Sequence, residues 1–199
     1  HAERAMAVID PLKIIIDNYD ENKTEKIEFD KNPNDPSAGK SSVTFSKEIY
    51  IEKSDFMLDP PGKYFRLCPE KEVRLKGAYY IKYASHETDE NGNITAVHCT
   101  YDPETKGGDS PDGRKVKGTL HWVSAEDCAD VTVRLYDRLF NVENPSDEEG
   151  VSSFAENLNK DSLKEIKNCK VDKSLLISKV GDTFQFMRQG YFCVDKDSK

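Results

Sequence analysis

The dipeptide Asn91-Gly92 constrains this chain more than any other pair of residues. Asn-Gly tolerates positive φ at both centres of a tight turn, which makes it a strong short-range hairpin signal. It stands between two long β-type runs, KEVRLKGAYYIKYASHET before it and ITAVHCTYDPET after it. In the first run Val73, Leu75, Gly77, Tyr79, Ile81 and Tyr83 fall on one face. Arg74, Lys76, Ala78, Tyr80 and Lys82 fall on the other, and this period of two belongs to strands. The pattern predicts a long hairpin and leaves two readings of its second face. Either that face is merely basic and solvated, or Arg74 and Lys76 project together toward a polyanion.

The remainder of the chain repeats the signal in shorter pieces. LKIII (12–16) reads as a buried strand, rich in β-branched residues. TEKIEFD (24–30), VTFS (43–46), KEIYIEK (47–53) and VTVRLYDRLF (131–140) read as further strands, and TFQFMRQGYFCVD (183–195) as two strands bent at Gly190. Between them lie turn signals such as Pro60-Pro61-Gly62 and the long polar connection NPNDPSAGKSS. One short helix is expected within 152–166, with Ser152 or Ser153 as N-cap and Glu156 supporting its first turn. About ten short strands with regular turn signals predict an all-β chain of antiparallel barrels or a sandwich.

Composition bounds the function. The 199 residues carry a formal net charge of −8, so bulk charge does not make this a nucleic-acid coat. The acidic residues bunch in loop-like DNYDEN, ETDEN and NPSDEEG, whereas the basic ones recur on strand-like runs, which leaves room for a local basic groove. Five scattered cysteines with no CxxC and no paired Cys/His spacing predict free thiols rather than disulfides or a zinc site. No apolar run approaches the length that spans a membrane, no signal peptide is visible, and the start reads as an artificial boundary.

No catalytic constellation emerges. GxSxG, P-loop and GxGxxG motifs are missing, and TKGGDSPDGRK is phosphate-loop-like only in composition. His98 and His121 lie in strand patterns and are expected to be packed or hydrogen-bonded. What remains is recognition. Arg4, Lys63, Arg66, Arg74, Lys76 and Arg188 recur near Tyr64, Phe65, Tyr80, Gln185, Phe186 and Tyr191. Cations neutralise phosphates, guanidinium planes and aromatic rings stack on bases, and amides read base edges.

Eight blocks in order then carry a resemblance. RAMAVIDPLKIIIDNY, FSKEIYIEKSDF, KYFRL, KEVRLKGAYYIKY, GNITAVHCTYDPET, DGRKVKGTLHWVSA, VRLYDRLFNVENP and FQFMRQGYFCVD together resemble the C-terminal anticodon-binding region of the glutaminyl-tRNA synthetases, from about Arg4 to Asp195. The resemblance implies two antiparallel β-barrels related to a ribosomal-protein barrel. Residues 18–117 would form the distal one, and residues 1–17 with 118–199 the proximal one. It further implies a partner tRNA that accepts glutamine, and an N-terminal catalytic domain that binds ATP with magnesium and would precede Arg4. Neither the HIGH-like nor the KMSKS-like motif of that domain occurs here, so this stretch alone is expected to be non-catalytic, without cofactor or metal. The compartment implied is the cytoplasm, with neither a membrane nor DNA as partner.

Carried over residue by residue, the resemblance implies that Arg4 and Gln185 read a central uridine. Arg66 would read the third anticodon base and Arg74 the first, with Lys63, Lys76 and Arg188 completing the site. Lys76 stands where arginine is frequent, which keeps charge but loses the planar fork. Lys63 stands where glutamine is common, so a phosphate contact is as plausible for it as base reading. Met187 and Gln189 flank Arg188 where acidic residues are common. Two alternatives stay open: the eukaryote-type glutamyl-tRNA synthetases, which share the barrel pair, and a free-standing RNA- or carbohydrate-binding barrel.

Overall fold

The computed structural model describes residues 2–145 and 153–198, and among these the chain is all-β. Its strands in order are β1 Glu3–Ala5, β2 Ala7–Val8, β3 Pro11–Ile16, β4 Glu25–Asp30, β5 Lys40–Phe45, β6 Glu48–Glu52, β7 Glu72–Leu75, β8 Tyr80–Thr88, β9 Ile94–Asp102, β10 Thr119–Leu120, β11 Val123–Ser124, β12 Cys128–Tyr136, β13 Leu163–Asp172, β14 Thr183–Phe186 and β15 Gly190–Cys193. Only short 3-10 turns interrupt them, and no helix among the described residues is long and apolar enough to cross a membrane.

The largest sheet has seven strands in the order β10-β7-β8-β9-β3-β6-β11 and curls into a half-barrel. It draws β3 from near the start of the chain and β10 and β11 from beyond residue 117, so it includes strands on both sides of positions 17 and 117. Three-stranded sheets β12-β13-β2 and β1-β14-β15 and the pair β4-β5 complete the fold. Most pairings are antiparallel, but β1–β14, β3–β9 and β10–β7 are parallel. Each joins segments distant in sequence, where no hairpin dictates direction.

The core forms inside the half-barrel. Leu12, Ile14 and Ile16 of β3 alternate inward, and Trp122 is fully buried edge-on to Phe45 at 5.1 Å between ring centroids. Its indole Nε1 donates to the Lys76 carbonyl at 3.0 Å, which ties the β7–β8 turn to the segment between β10 and β11. A polar pin closes one end. Burial works to raise the Glu25 carboxyl, but hydrogen bonds from Lys106, Tyr79, Tyr19 and Lys23 outweigh it and pull it down to about 2.

Four expectations need correction. The long run from 72 to 83 is two strands, because Gly77 at φ 72° turns the chain and Ala78 N–H closes on the Leu75 carbonyl at 2.9 Å. Val73 then pairs with Ile81 and Arg74 with Tyr80, so the period of two survives across a turn that it conceals. The second face is not simply wet, since Ala78 and Tyr80 are buried. At Asn91-Gly92 only Gly92 has positive φ. The connection is longer than a two-residue turn, because Asp89 accepts from the backbone of Asn91 and Asn93. The helix expected over 152–166 is a single 3-10 turn, Phe154–Asn157, capped by Ser153, followed by strand β13 (Ser152 lies outside the described residues). Asn159 and Asp161 favour turns, and β12 offers a ladder that β13 completes over most of its length.

Candidate nucleic-acid interface

The hairpin β14–β15 builds the first part of the site. Phe184 and Phe186 turn inward, where Phe186 stacks on Phe192 at 4.5 Å. Gln185 therefore turns outward. On the neighbouring strand β1, Arg4 stands in register with Gln185, and its Nε donates to Gln185 Oε1 at 3.3 Å. The two residues expected to act on one base are thus in contact.

Arg188 occupies the turn of that hairpin in the left-handed region, at φ 66°. Gln189 N–H closes the turn on the Phe186 carbonyl, and Met187 N–H donates to the Ala5 carbonyl at 3.1 Å. The guanidinium is aimed at Asp55 and donates bidentately, Nη1 to Oδ2 at 2.6 Å and Nη2 to Oδ1 at 2.8 Å. Arg66 places Nε 3.1 Å from the same Oδ1, and its Nη1 donates to the Ser54 carbonyl. Asp55 is 1% exposed, so one buried carboxylate orients two half-exposed cations.

The local fold explains how Asp55 and Arg66 meet. Pro60, Pro61 and Gly62 reverse the chain, Leu67 N–H donates to the Asp55 carbonyl, and Tyr64 O–H donates to the Ser54 carbonyl. Burial first, and the nearby Asp55 second, push the Tyr64 hydroxyl up to about 12. Behind Arg188 a buried polar path continues. Arg188 can only donate, so His121 Nδ1 at 3.2 Å accepts, and Nε2 carries the proton directed at Glu52. Glu52 in turn accepts from the backbone N–H groups of Ile9 and Asp10. His121 is packed and hydrogen-bonded as expected from the sequence, and so is His98, which Asp17 and then Glu87 hold with a raised pKa.

A second basic cluster lies along β7. Arg74 and Arg114 both stand 5.3 Å from the ring centroid of buried Tyr80, and Arg74 Nη2 donates to the Tyr80 hydroxyl at 3.0 Å. Arg114 is clamped by Glu72, Asp102 and Asp112, whose hydrogen bonds raise its pKa. Arg74 is looser. Its Nε is buried without a partner, and its nearest carboxylate, Asp109, is 3.8 Å away in open solvent.

Between the clusters runs an open groove of about 370 Å³, whose lining holds Arg66, Lys71, Arg114, Lys115 and Lys117 against Glu70 and Glu72. Lys117 Nζ lies 5.1 Å from the centre of the Phe65 ring. Gly118 permits the two walls to meet, since a Cβ there would stand 2.4 Å from the Phe65 carbonyl oxygen. A chain of net charge −8 thus has a locally cationic trough with an aromatic wall.

The expected site residues divide accordingly. Arg4 pairs with Gln185, Arg66 and Arg188 share Asp55, and Arg74 belongs to the second cluster. Lys76 is exposed, tied through its backbone N–H to the Leu120 carbonyl, one residue before His121. Lys63 is exposed and makes no hydrogen bond or ion pair among the described residues. Sequence reasoning missed Asp55, Arg114, Lys115 and Lys117. Only the basic run RKVK was visible as a signal, and nothing distinguishes Asp55 from the other acidic residues.

Comparison with known proteins gives the family. The chain is 48% identical over 197 residues to a protein named Glutamine–tRNA ligase from Bradyrhizobium diazoefficiens, covering 99% of this chain and 35% of that one. Namesakes from Clostridium perfringens and Alteromonas mediterranea are 52% identical over 194 residues and 50% over 200, covering 98% and 100% of this chain and again 35% of each relative. The chain therefore spans about a third of the length of the curated relatives it matches. Two family models, both described as the anticodon-binding domain of class I tRNA synthetases (E and Q), match residues 2–102 and 119–195, and so this chain belongs to the anticodon-binding family of the class I glutamate and glutamine tRNA synthetases.

Proposed function

We propose that the chain reads the anticodon of the glutamine-accepting tRNA on behalf of a longer ligase, whose remaining two thirds bind ATP with magnesium and attach the amino acid. The carrying observation is the outward Arg4–Gln185 pair beside two arginines oriented by one buried carboxylate. An amide donates and accepts at once and so matches one edge of a uracil, and a guanidinium adds fixed donors beside it. Arg4 and Gln185 take the central uridine. Arg66 uses Nε and Nη1 on the protein and offers Nη2 to the third base. Arg74, loosely held, takes the first base. Arg188 lines the hairpin side of the site, while Lys76 and Lys63 lie free to meet phosphates.

The relatives' shared name favours glutamine over glutamate, and their greater length disfavours a free-standing module. We place residues 18–117 in a distal barrel and residues 1–17 and 118–199 in a proximal one, with β3, β10 and β11 of the second set hydrogen-bonded to strands of the first. The catalytic part of the ligase is the protein partner in this reading, and the cytoplasm its place of work.

The test is Gln185→Ala in the full-length ligase. Losing a base-edge pair costs about 1–3 kcal/mol, so aminoacylation of the cognate tRNA should fall roughly tenfold to a hundredfold. A tRNA whose central anticodon uridine is already replaced should lose much less. Equal losses on both tRNAs would mean that Gln185 supports the fold or a phosphate rather than a base.

A further inference from the structure

The outer face of the sheet β1-β14-β15 carries three side chains in one row. Arg4 stands opposite Gln185, and Gln185 stands opposite Tyr191. Neighbouring strands lie about 4.8 Å apart, so the row spans ~10 Å, the scale of one nucleobase with its ribose. The inner face of the same strands is apolar, with Phe184 opposite Phe192 and Ala5 opposite Phe186. That alternation fixes Tyr191 outward. The ring is 76% exposed and has no ring or hydrogen-bond partner among the described residues.

A single exposed aromatic residue is ordinary on a protein surface. Its neighbours make this one specific. Arg4 and Gln185 can bond the edge of a base, but neither covers its π-face, which is where a splayed base loses most when it leaves its own stack. Tyr191 supplies a flat apolar surface next to the edge-reading pair, on the outermost strand of the sheet, where no fourth strand among the described residues blocks approach. The row therefore has a guanidinium, an amide and a ring in the order that a base tilted onto the sheet would need.

We infer that Tyr191 is the stacking platform for the base whose edge Arg4 and Gln185 contact. This rests on the reading that the chain binds an RNA loop, and it divides the labour within that reading. Stacking tolerates any base because every base has a π-face, so Tyr191 contributes affinity while Gln185 contributes identity.

The experiment uses the full-length protein and a glutamine-anticodon stem-loop RNA, with equilibrium binding as readout. Tyr191→Ala should weaken binding roughly 5- to 100-fold, while Tyr191→Phe should stay within about twofold of the parent. The Tyr191→Ala loss should be the same factor whichever base occupies the centre of the loop, whereas the Gln185→Ala loss should appear only with uridine there. A 5-iodouridine at that centre should cross-link to Tyr191 on irradiation. If Tyr191→Ala binds as tightly as the parent while Gln185→Ala does not, the stacking role is overturned and the RNA reading stands. A cross-link to another residue overturns it too. If the parent protein does not bind the stem-loop, both fall together.

Discussion

The two basic clusters of this protein solve opposite problems. At Asp55 one carboxylate, buried from solvent, takes both oxygens of its binding capacity to two arginines that lie 122 residues apart in sequence (188 − 66). At Tyr80 two arginines flank one ring, and only Arg114 is fully committed to carboxylates. Arg74 has an Nη1 with no hydrogen bond among the described residues and an acid at the edge of reach. The first cluster is pre-set and the second has a donor in reserve. Pre-setting lowers the ordering entropy of a ligand contact, while a free donor keeps its full capacity for a new one.

The largest expected effect that would break this contrast is at Asp55. Asp55→Ala removes the shared acceptor and leaves two guanidinium groups facing each other. Breaking a buried ion pair typically costs about 3–5 kcal/mol, and the partial exposure of both arginines lowers that to roughly 2–4. Chemical denaturation should show it, and Asp55→Asn should lose less. A loss below about 1 kcal/mol would mean that Asp55 is incidental to the hairpin's placement.

The next effect belongs to the other cluster. Gly108 has φ 96°, and a Cβ there would approach Arg74 Cδ to 2.9 Å. Gly108→Ala should destabilise by about 1–3 kcal/mol and move Arg74, with no change at Asp55. Denaturation gives the first quantity and an anticodon stem-loop binding assay the second. If RNA affinity is unaffected, Arg74 is not the reserve donor described above.

The smallest stability effect should come from Arg74→Ala, within about 1 kcal/mol because its acidic partner is in open solvent. Its effect should appear instead in RNA binding, where log K should fall less steeply with log salt, by about 0.7 if Arg74 meets a phosphate. An unchanged slope with weaker binding would assign it to a base edge, which sharpens the contrast rather than ending it.

How much of this was legible beforehand depends on the range of the interaction. LKIII and TFQFMRQGYFCVD announce their strands because alternation is local, and Gln185 faces outward for the same reason. The run from 72 to 83 misleads because a hairpin preserves the period of two across Gly77. The segment 152–166 misleads because a capping pattern at Ser153 is satisfied by one 3-10 turn, after which pairing with β12 outweighs any helical preference. Asp55 could not be found at all. Its role arises when Arg66 and Arg188 arrive from opposite directions, and no local pattern records a meeting over such separations.

The turn at Arg188 places backbone and side chain in conflict. A left-handed φ is the natural home of glycine, and an arginine held there costs about 1 kcal/mol or more. Glycine would relax the turn and abandon Asp55. The arginine thus marks a site where conformational ease has been given up for a guanidinium, and stabilising design that replaces left-handed residues by glycine would remove this group.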